Sequence, residues 1–237
     1  MSNQLGTQIK VKRFSKGFVV AHAVNGISFF ALYLTALPMY TEWFDWLYVL
    51  FGGPENARFL HRVFAVTFIL PTIIMLIFDP KGFFNWMKEL VTWKKRDLQF
   101  FTEFVKDLFG LKFKHVKQSF LNAGEKINSV LQIVCAILLI GSGFTMWFPD
   151  AFPKALVQWG YFLHNVGFGL AFAVALGHIY LSVIHKNSRP GFKGVITGEV
   201  PAWWAKDHYT EWYEEEVEKG NFPDVDIEKE MKKPTGA

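Results

Sequence analysis

Four long apolar stretches dominate the pattern of hydrophobic and polar positions along this chain of 237 residues. Each is close to the roughly 20 residues that an α-helix needs to cross a hydrocarbon core about 30 Å thick. They run over residues 18–39, 59–78, 127–148 and 155–184. The pattern therefore predicts an all-α integral membrane protein, a bundle of four transmembrane helices. The first stretch is too long for a signal-peptide core and lacks a small-residue cleavage site, so we expect it to remain as a helix.

Basic residues are concentrated in three of the polar segments, and this asymmetry predicts the orientation of the helices. The other two connections contain only Arg58 and Lys154 as basic residues. By the positive-inside rule, we expect both termini and the long middle loop to be cytoplasmic. The formal net charge of +4 reflects this topology and gives no reason to expect a nucleic-acid partner. The basic residues of the three segments are Lys10, Lys12, Arg13, Lys16, Lys81, Lys88, Lys94, Lys95, Arg96, Lys106, Lys112, Lys114, Lys117, Lys186, Arg189 and Lys193.

The middle loop, residues 79–119, has apolar positions at helical spacing among its lysines. This pattern predicts short amphipathic helices between the second and third transmembrane helices. Such helices lie in the lipid interface or pack on a partner's soluble subunit, and the sequence leaves both interpretations open. The segment after residue 213 is highly charged and contains Pro223 and Pro234. We therefore divide the chain into a membrane domain, 1–213, and a cytoplasmic tail, 214–237, that extends or docks on a partner.

Two histidines of the fourth stretch, His164 and His178, carry the most specific information. They are fourteen residues apart, which places them within about 40° of each other on one helix face and about 21 Å apart along its axis. Ionisable groups inside a membrane are costly, so each is a functional hypothesis. With the predicted orientation, His61 and His164 lie near the outer side, and His22 and His178 near the cytoplasmic side. Two pairs of imidazoles result, which suits two haems because haem iron binds one axial ligand on each face.

Other interpretations of the histidines remain open. A membrane histidine is often a packing residue or a proton carrier, so a haem-free transporter or proton channel is the alternative from another class. A zinc site requires ligands that converge, and the separation of His164 and His178 forbids this for that pair. We expect His185, at the helix end, to be interfacial. His115 and His208 lie in charged segments, and we do not expect them to be ligands.

Several short motifs flank the predicted helices. They are Ala57-Arg58-Phe59-Leu60-His61, Asn122-Ala123-Gly124-Glu125-Lys126, and the segment from Phe192 to Val200 that continues to Trp204–Tyr209. Together with the His164/His178 spacing, they resemble the membrane cytochrome b (gamma) subunit of respiratory formate dehydrogenases, in the prokaryotic cytochrome b561-like family. The resemblance runs from about residue 12 to residue 213.

The resemblance implies two b-type haems with four axial histidine ligands. His22 and His178 would ligate the inner haem, and His61 and His164 the outer one. Arg62 stands where the family is expected to have an uncharged residue. It is a candidate contact for a haem propionate, and an ordinary interfacial arginine is the equal alternative.

The resemblance also implies a quinone site and partner subunits. Menaquinone or ubiquinone would bind near Asn122, Gly124 and His178, on the cytoplasmic side, although Asn122 considered alone is typical of a helix N-cap. Electrons would come from a periplasmic formate-oxidising module, through an iron–sulfur (beta) subunit from a molybdenum or tungsten (alpha) subunit. The chain would then be the quinone-reducing subunit of an oxidoreductase in the bacterial inner membrane, with a higher oligomer left open. A hydrogenase, a thiosulfate reductase or another molybdenum or tungsten enzyme is the alternative partner.

Overall fold

A computed structural model describes residues 7–234 and contains the long helices that the apolar pattern predicts. The four helices long and apolar enough to cross a membrane, among the described residues, are Lys16–Tyr40, Pro54–Phe78, Ala123–Trp147 and Lys154–Ile184. The loop between the second and third carries the two expected amphipathic helices. The protein is therefore an all-α membrane protein with four spanning helices.

The secondary structure of residues 7–234 consists of helices and one two-stranded sheet. A π-helical turn, Tyr180–Ile184, continues the fourth span, and short 3₁₀ turns cover Glu42–Leu47 and Pro149–Ala151. In chain order the elements are β1 (Lys10–Lys12), α1 (Lys16–Tyr40), α2 (Tyr48–Phe51), α3 (Pro54–Thr67), α4 (Leu70–Phe78), α5 (Pro80–Val91), α6 (Lys95–Leu108), α7 (Ala123–Trp147), α8 (Lys154–Ile179), α9 (Pro190–Thr197), β2 (Glu199–Pro201), α10 (Ala202–His208), α11 (Thr210–Glu218) and α12 (Ile227–Met231).

The second span begins five residues before the predicted start and is divided into α3 and α4. Pro54 begins α3, where its missing N–H costs nothing because the first turn of a helix has no partner for that group. The charges of Glu55 and Arg58 kept this turn outside the apolar stretch. Pro71 explains the division, since it cannot donate a hydrogen bond to the carbonyl of Thr67 four residues earlier.

The chain divides into two compact units. One unit contains Arg13–Phe84 and Gly194–Gly198, and in it α1 packs against α3 and α4. The other contains Asn85–Lys193 with the described residues up to Lys12 and from Glu199 onward, and in it α7 packs against α8. Each unit therefore holds two of the four spans.

The N-terminal strand and the C-terminal tail form a small core of their own. Strand β1 pairs antiparallel with β2, and Val11 lies opposite Val200. Both valines belong to a buried cluster that also contains Tyr213 and Val225. Burial raises the pKa of Tyr213 to about 12, so its hydroxyl remains a donor, and it donates to the Pro223 carbonyl at 2.7 Å. The tail thus packs on this chain's own N-terminal strand, while the proposed division at residue 213 stays a prediction.

The middle loop packs against the tail within the same unit. Lys94 Nζ lies 2.9 Å from Glu211, and Lys117 Nζ lies 2.9 Å from Glu214. The backbone N–H of Glu211 donates to the Gln118 carbonyl at 3.0 Å. Because β1 precedes the first span and β2 follows the fourth, this unit brings together strand β1, the middle loop after Phe84 and the segment that follows the fourth span. The placement of the three basic segments on one side of a membrane, and the cytoplasmic identity of that side, stay predictions.

Candidate functional site

Helix α8 carries His164 and His178 without interruption, as their spacing predicts. Fourteen residues at about 1.5 Å per residue separate the two along the axis by about 21 Å. Both side chains are half-buried, and each contacts a polar side chain of α7, Ser142 for His164 and Asn128 for His178. The second unit therefore presents two imidazoles at two levels.

The contact between Ser142 and His164 determines which ring nitrogen holds a lone pair. Ser142 Oγ lies 2.6 Å from the Leu138 carbonyl, to which it donates. The same hydroxyl oxygen is 3.0 Å from Nδ1 of His164 and accepts a hydrogen bond from it. The proton is then on Nδ1, and the lone pair is on Nε2. A neutral imidazole fixed in this way is prepared to bind a metal ion through Nε2.

The first unit repeats this arrangement with Thr35 and His61. Thr35 is completely buried in α1, and its hydroxyl donates to the Ala31 carbonyl at 2.8 Å. Its oxygen lies 2.9 Å from Nδ1 of His61. The Nδ1 proton is again held by a hydroxyl oxygen, so Nε2 of His61 also carries the lone pair.

The first unit also presents its histidines at two levels. Thr35, which contacts His61, lies thirteen residues after His22 on α1. At about 1.5 Å per residue, His22 is therefore about 20 Å from the level of His61. This spacing agrees with the 21 Å between His164 and His178 on α8.

The remaining two histidines have different neighbours. The ring of His22 lies 5.9 Å from that of Phe18, at 28° between the ring planes. Nδ1 of His178 is 3.4 Å from the side-chain nitrogen of Asn128. Rotation of the amide by half a turn brings its oxygen to this position. Ligation of iron through Nε2 of His178 requires that orientation.

The glycines of the spans differ in whether a Cβ built on them would meet a neighbouring atom. A Cβ built on Gly143 would lie 3.2 Å from Cε1 of His164, and one on Gly167 would lie 3.1 Å from Leu139. These glycines allow α7 and α8 to pack closely. A Cβ on Gly26 or Gly177 meets no atom of the described residues within 4 Å. Gly26 lies one turn after His22, and Gly177 precedes His178, so open space adjoins two candidate ligands.

The residues present therefore fit b-type haem. His61 and His164 hold Nε2 lone pairs in fixed orientations, and imidazole nitrogen is a common axial ligand of haem iron. Neither Gly26 nor Gly177 has a side chain that would obstruct a group bound at the adjacent histidine. The pairing of ligands across the two units stays a prediction.

Asn122 is the N-cap of α7 and part of a polar network. Its Oδ1 accepts the N–H of Glu125 at 2.9 Å, and the Glu125 carboxylate accepts the N–H of Asn122 at 2.9 Å, a capping box. Tyr209 donates to Glu125 at 2.8 Å and lies 3.4 Å from Asn122 Nδ2. A Cβ on Gly124 would be 3.2 Å from Asn122 Oδ1 and 3.4 Å from the Phe100 ring. The capping role is confirmed, and the quinone role stays a prediction.

Two further residues from the sequence analysis lie outside these arrangements. Nε2 of His185 is 3.5 Å from the Asp107 carboxylate, and Nδ1 is 3.2 Å from the Ser188 hydroxyl. These polar neighbours agree with an interfacial residue. Arg62 is exposed on α3, beside His61, and its contact with a propionate stays a prediction.

Sequence reasoning missed the polar partners of the histidines, Thr35, Ser142 and Asn128. A signal for two of them is present, because Asn128 and Ser142 are fourteen residues apart on α7, the spacing of His164 and His178 on α8. Antiparallel neighbours with matched polar spacing favour pairwise contacts. Thr35 had no such counterpart, and its β-branched side chain resembles the apolar residues around it.

The chain is similar to known proteins over most of its length. The family described as prokaryotic cytochrome b561 matches residues 13–198. The cytochrome b556(Fdn) subunit of the nitrate-inducible formate dehydrogenase of Escherichia coli is 27% identical over 198 residues, 81% of this chain and 85% of that protein. The E. coli formate dehydrogenase cytochrome b556(fdo) subunit is 26% identical over 212 residues, 86% and 92% of the two chains. The formate dehydrogenase cytochrome b556 subunit of Haemophilus influenzae is 24% identical over 201 residues, 84% and 80% of the two chains.

Proposed function

Because this chain belongs to the prokaryotic cytochrome b561 family, we propose that it is the dihaem subunit of a formate dehydrogenase-type complex and carries electrons across the membrane to a quinone. Membership makes the chain a membrane cytochrome b with an electron-transfer role and b-type haem. The observation that carries the dihaem proposal is the repeated spacing of about 20 Å between two histidines in each unit.

The four histidines would serve as axial ligands in two pairs. His22 and His178 hold the inner haem, and His61 and His164 hold the outer one. Bound haem supplies one-electron redox chemistry. The chain's own contribution is the position and tautomer of each imidazole, which Thr35 and Ser142 fix for the outer pair. The apolar helices around these groups exclude water.

The direction of transfer follows from the proposed topology. The outer pair accepts electrons from an iron–sulfur subunit and a molybdenum or tungsten catalytic subunit on the periplasmic side of a bacterial inner membrane. The relatives are named as cytochrome subunits of formate dehydrogenases, which supports a formate-oxidising partner. Movement of an electron inward against the membrane potential costs about 2.3 kcal/mol per 100 mV. Part of the free energy of substrate oxidation would thereby be conserved as a transmembrane potential.

Quinone would be reduced beside the inner haem, near Asn122, Gly124 and His178. Asn122 uses its oxygen to cap α7 and donates one Nδ2 proton to the Tyr209 hydroxyl at 3.4 Å, which leaves the second Nδ2 proton to donate to a quinone carbonyl. Gly124 has no Cβ to crowd Asn122 and Phe100, so the absence of a side chain there keeps the Asn122 amide in its present position. The rate of quinone reduction, measured with menaquinone and with ubiquinone, would distinguish between the two.

Haem content and absorption test the proposal directly. Protein purified in detergent is expected to contain two b-type haems per chain and to give a dithionite-reduced minus oxidised b-type difference spectrum. The subunits that purify with it should include an iron–sulfur protein and a formate-oxidising enzyme. Folded protein without haem would exclude the proposal in favour of a transporter or channel. A hydrogenase or thiosulfate reductase as the partner would retain the cytochrome and change the substrate.

Two substitutions separate the capping and quinone roles of Asn122. Serine is a good N-cap and has no amide, so Asn122→Ser should keep α7 intact and raise the KM for quinone by up to about tenfold, the value of one hydrogen bond. Both haems should still be reduced by dithionite. Asn122→Asp also caps the helix and keeps the shape of the asparagine side chain without its N–H donors, so it controls for the smaller size of serine. Unchanged quinone kinetics in Asn122→Ser would reject the assignment.

A further inference from the structure

His115, Asp207 and His208 come together away from the membrane spans. Within the part of the chain that the structure describes, they are the group of three histidine, cysteine or carboxylate side chains whose ligand atoms lie within 4.8 Å of one another. His115 belongs to the loop between α6 and α7, and the other two end α10. The sequence separates the histidines by more than ninety residues, so no motif predicts their contact.

The distances in this cluster match those between ligands of a tetrahedral metal ion. Nε2 of His115 lies 3.3 Å from the nearer Asp207 carboxylate oxygen, and Nδ1 of His208 lies 3.5 Å from the same oxygen. Zinc binds histidine nitrogen and carboxylate oxygen at about 2.0–2.2 Å, which puts neighbouring ligand atoms of a tetrahedron about 3.3–3.6 Å apart. Two of the three distances between ligand atoms therefore already have the length that a tetrahedral zinc site requires.

The surroundings fix the His208 ring in place. The His208 ring stacks on Trp204, with ring centres 4.8 Å apart and 28° between the planes. The Trp204 indole donates to the Asn187 carbonyl at 2.7 Å, so this platform is itself anchored. The Trp204 carbonyl lies 3.2 Å from Nδ1 of His208. The ion would bind at Nδ1, the nitrogen that lies 3.5 Å from the Asp207 oxygen, and would replace that hydrogen bond.

The charge at the cluster also suits a cation. Asp207 contributes a negative charge, and neutral imidazoles contribute lone pairs. The neighbouring lysines have carboxylate partners of their own: Lys206 lies 2.6 Å from Asp224, and Lys117 lies 2.9 Å from Glu214. Two imidazoles and one carboxylate form a donor set that zinc accepts, with water as the fourth ligand.

We propose that His115, Asp207 and His208 bind a divalent transition-metal ion, zinc in particular, that joins the loop between α6 and α7 to α10. The ion has a structural role here, since it connects the loop directly to α10, whereas the Lys117–Glu214 ion pair and the hydrogen bond from Glu211 to Gln118 connect the loop to α11. The site is separate from the four histidines proposed as haem ligands, so the two assignments fail independently.

Zinc content and affinity test this site in the haem-loaded full chain, purified without a histidine tag. After incubation with zinc and dialysis, we expect one zinc ion per chain, and zinc-edge absorption showing nitrogen and oxygen ligands at about 2.0–2.2 Å. His115→Gln and Asp207→Asn should each weaken zinc binding by about 100-fold or more, because even outer-sphere partners are worth about 10–100-fold. Zinc should also slow proteolysis of the loop between α6 and α7 in the wild type.

His185→Gln is the matched control, because His185 faces a single carboxylate, Asp107, without a second histidine. It should retain full zinc affinity. Circular dichroism, measured in every variant, reports whether the chain has folded, whatever its haem content. Folded wild-type protein that keeps no zinc would overturn the proposal. So would zinc binding that His115→Gln and Asp207→Asn leave unchanged.

Discussion

Replacing His164 by alanine is expected to lower the haem content from about two per chain to about one, with one b-type signal left in the difference spectrum. The physical reason is that, in the proposed arrangement, His164 would supply one of two axial ligands to the outer site, while the inner site would lie about 21 Å away along α8. Electron delivery to quinone through the complex should be lost, because the outer site accepts the electrons. Pyridine haemochrome analysis and the reduced-minus-oxidised spectrum measure the first effect, and formate-dependent quinone reduction measures the second.

The four histidine variants should sort into two pairs. His61→Ala should give the same residual spectrum as His164→Ala, and His22→Ala the same as His178→Ala. His185→Ala should retain both haems, since Asp107 and Ser188 occupy its ring nitrogens. Loss of both signals from folded His164→Ala protein, or a different sorting of the four variants, would show that the pairing is wrong.

Replacing Lys126 by methionine is expected to release α6 from α7. Lys126 Nζ lies 3.1 Å from the Asp97 carboxylate and 2.9 Å from the Thr92 carbonyl, and both charged side chains are only 2% exposed. Without the ammonium group, the Asp97 charge stays buried without its cation. Such a break typically costs about 3–5 kcal/mol. Hydrogen exchange of the α6 amides should accelerate, and the loop around α6 should become sensitive to protease.

A surface lysine of the same loop provides the matched control. Lys94 pairs with Glu211 at 2.9 Å, but its side chain is 48% exposed, and exposed pairs contribute about 0–1 kcal/mol. Lys94→Met should therefore leave α6 protected. Adding Asp97→Leu to Lys126→Met should restore much of the protection, because an apolar pair avoids the unpaired charge. Equal exchange in Lys94→Met and Lys126→Met would contradict the assigned role of the buried pair.

The membrane spans could be predicted from sequence because their signal is local. A helix in lipid must satisfy its backbone internally and present apolar side chains, so length and hydropathy suffice. The same criterion misjudged the start of the second span, where charged residues follow Pro54, and it left Lys126 outside the third span. Lys126 is buried by protein rather than by lipid, and that environment depends on Asp97, twenty-nine residues away.

The candidate site was predictable at the level of residue type and spacing, and less so at the level of partners. Four histidines and their depth followed from helical geometry. The contacts of the histidines with Thr35 and Ser142 depend on which helices pack together and on the rotation of each helix about its axis. The apolar pattern of a single helix specifies neither the packing partner nor the rotation. The cluster of His115, Asp207 and His208 depends on the fold of the loop and tail, which no periodicity specifies.

The pairing of β1 with β2 has a consequence for biogenesis. Val11 pairs with Val200, so the sheet cannot form until the ribosome has added the 189 residues after Val11, up to Val200. This takes about 10–40 s at typical rates of synthesis. During that interval all four spans must enter the membrane with the correct orientation, because a single missed span puts the two strands on opposite sides. Closure of the sheet is thus a late step that a chain with one missed span cannot complete. A chain in which the sheet has not formed exposes the unpaired backbone edge of β1.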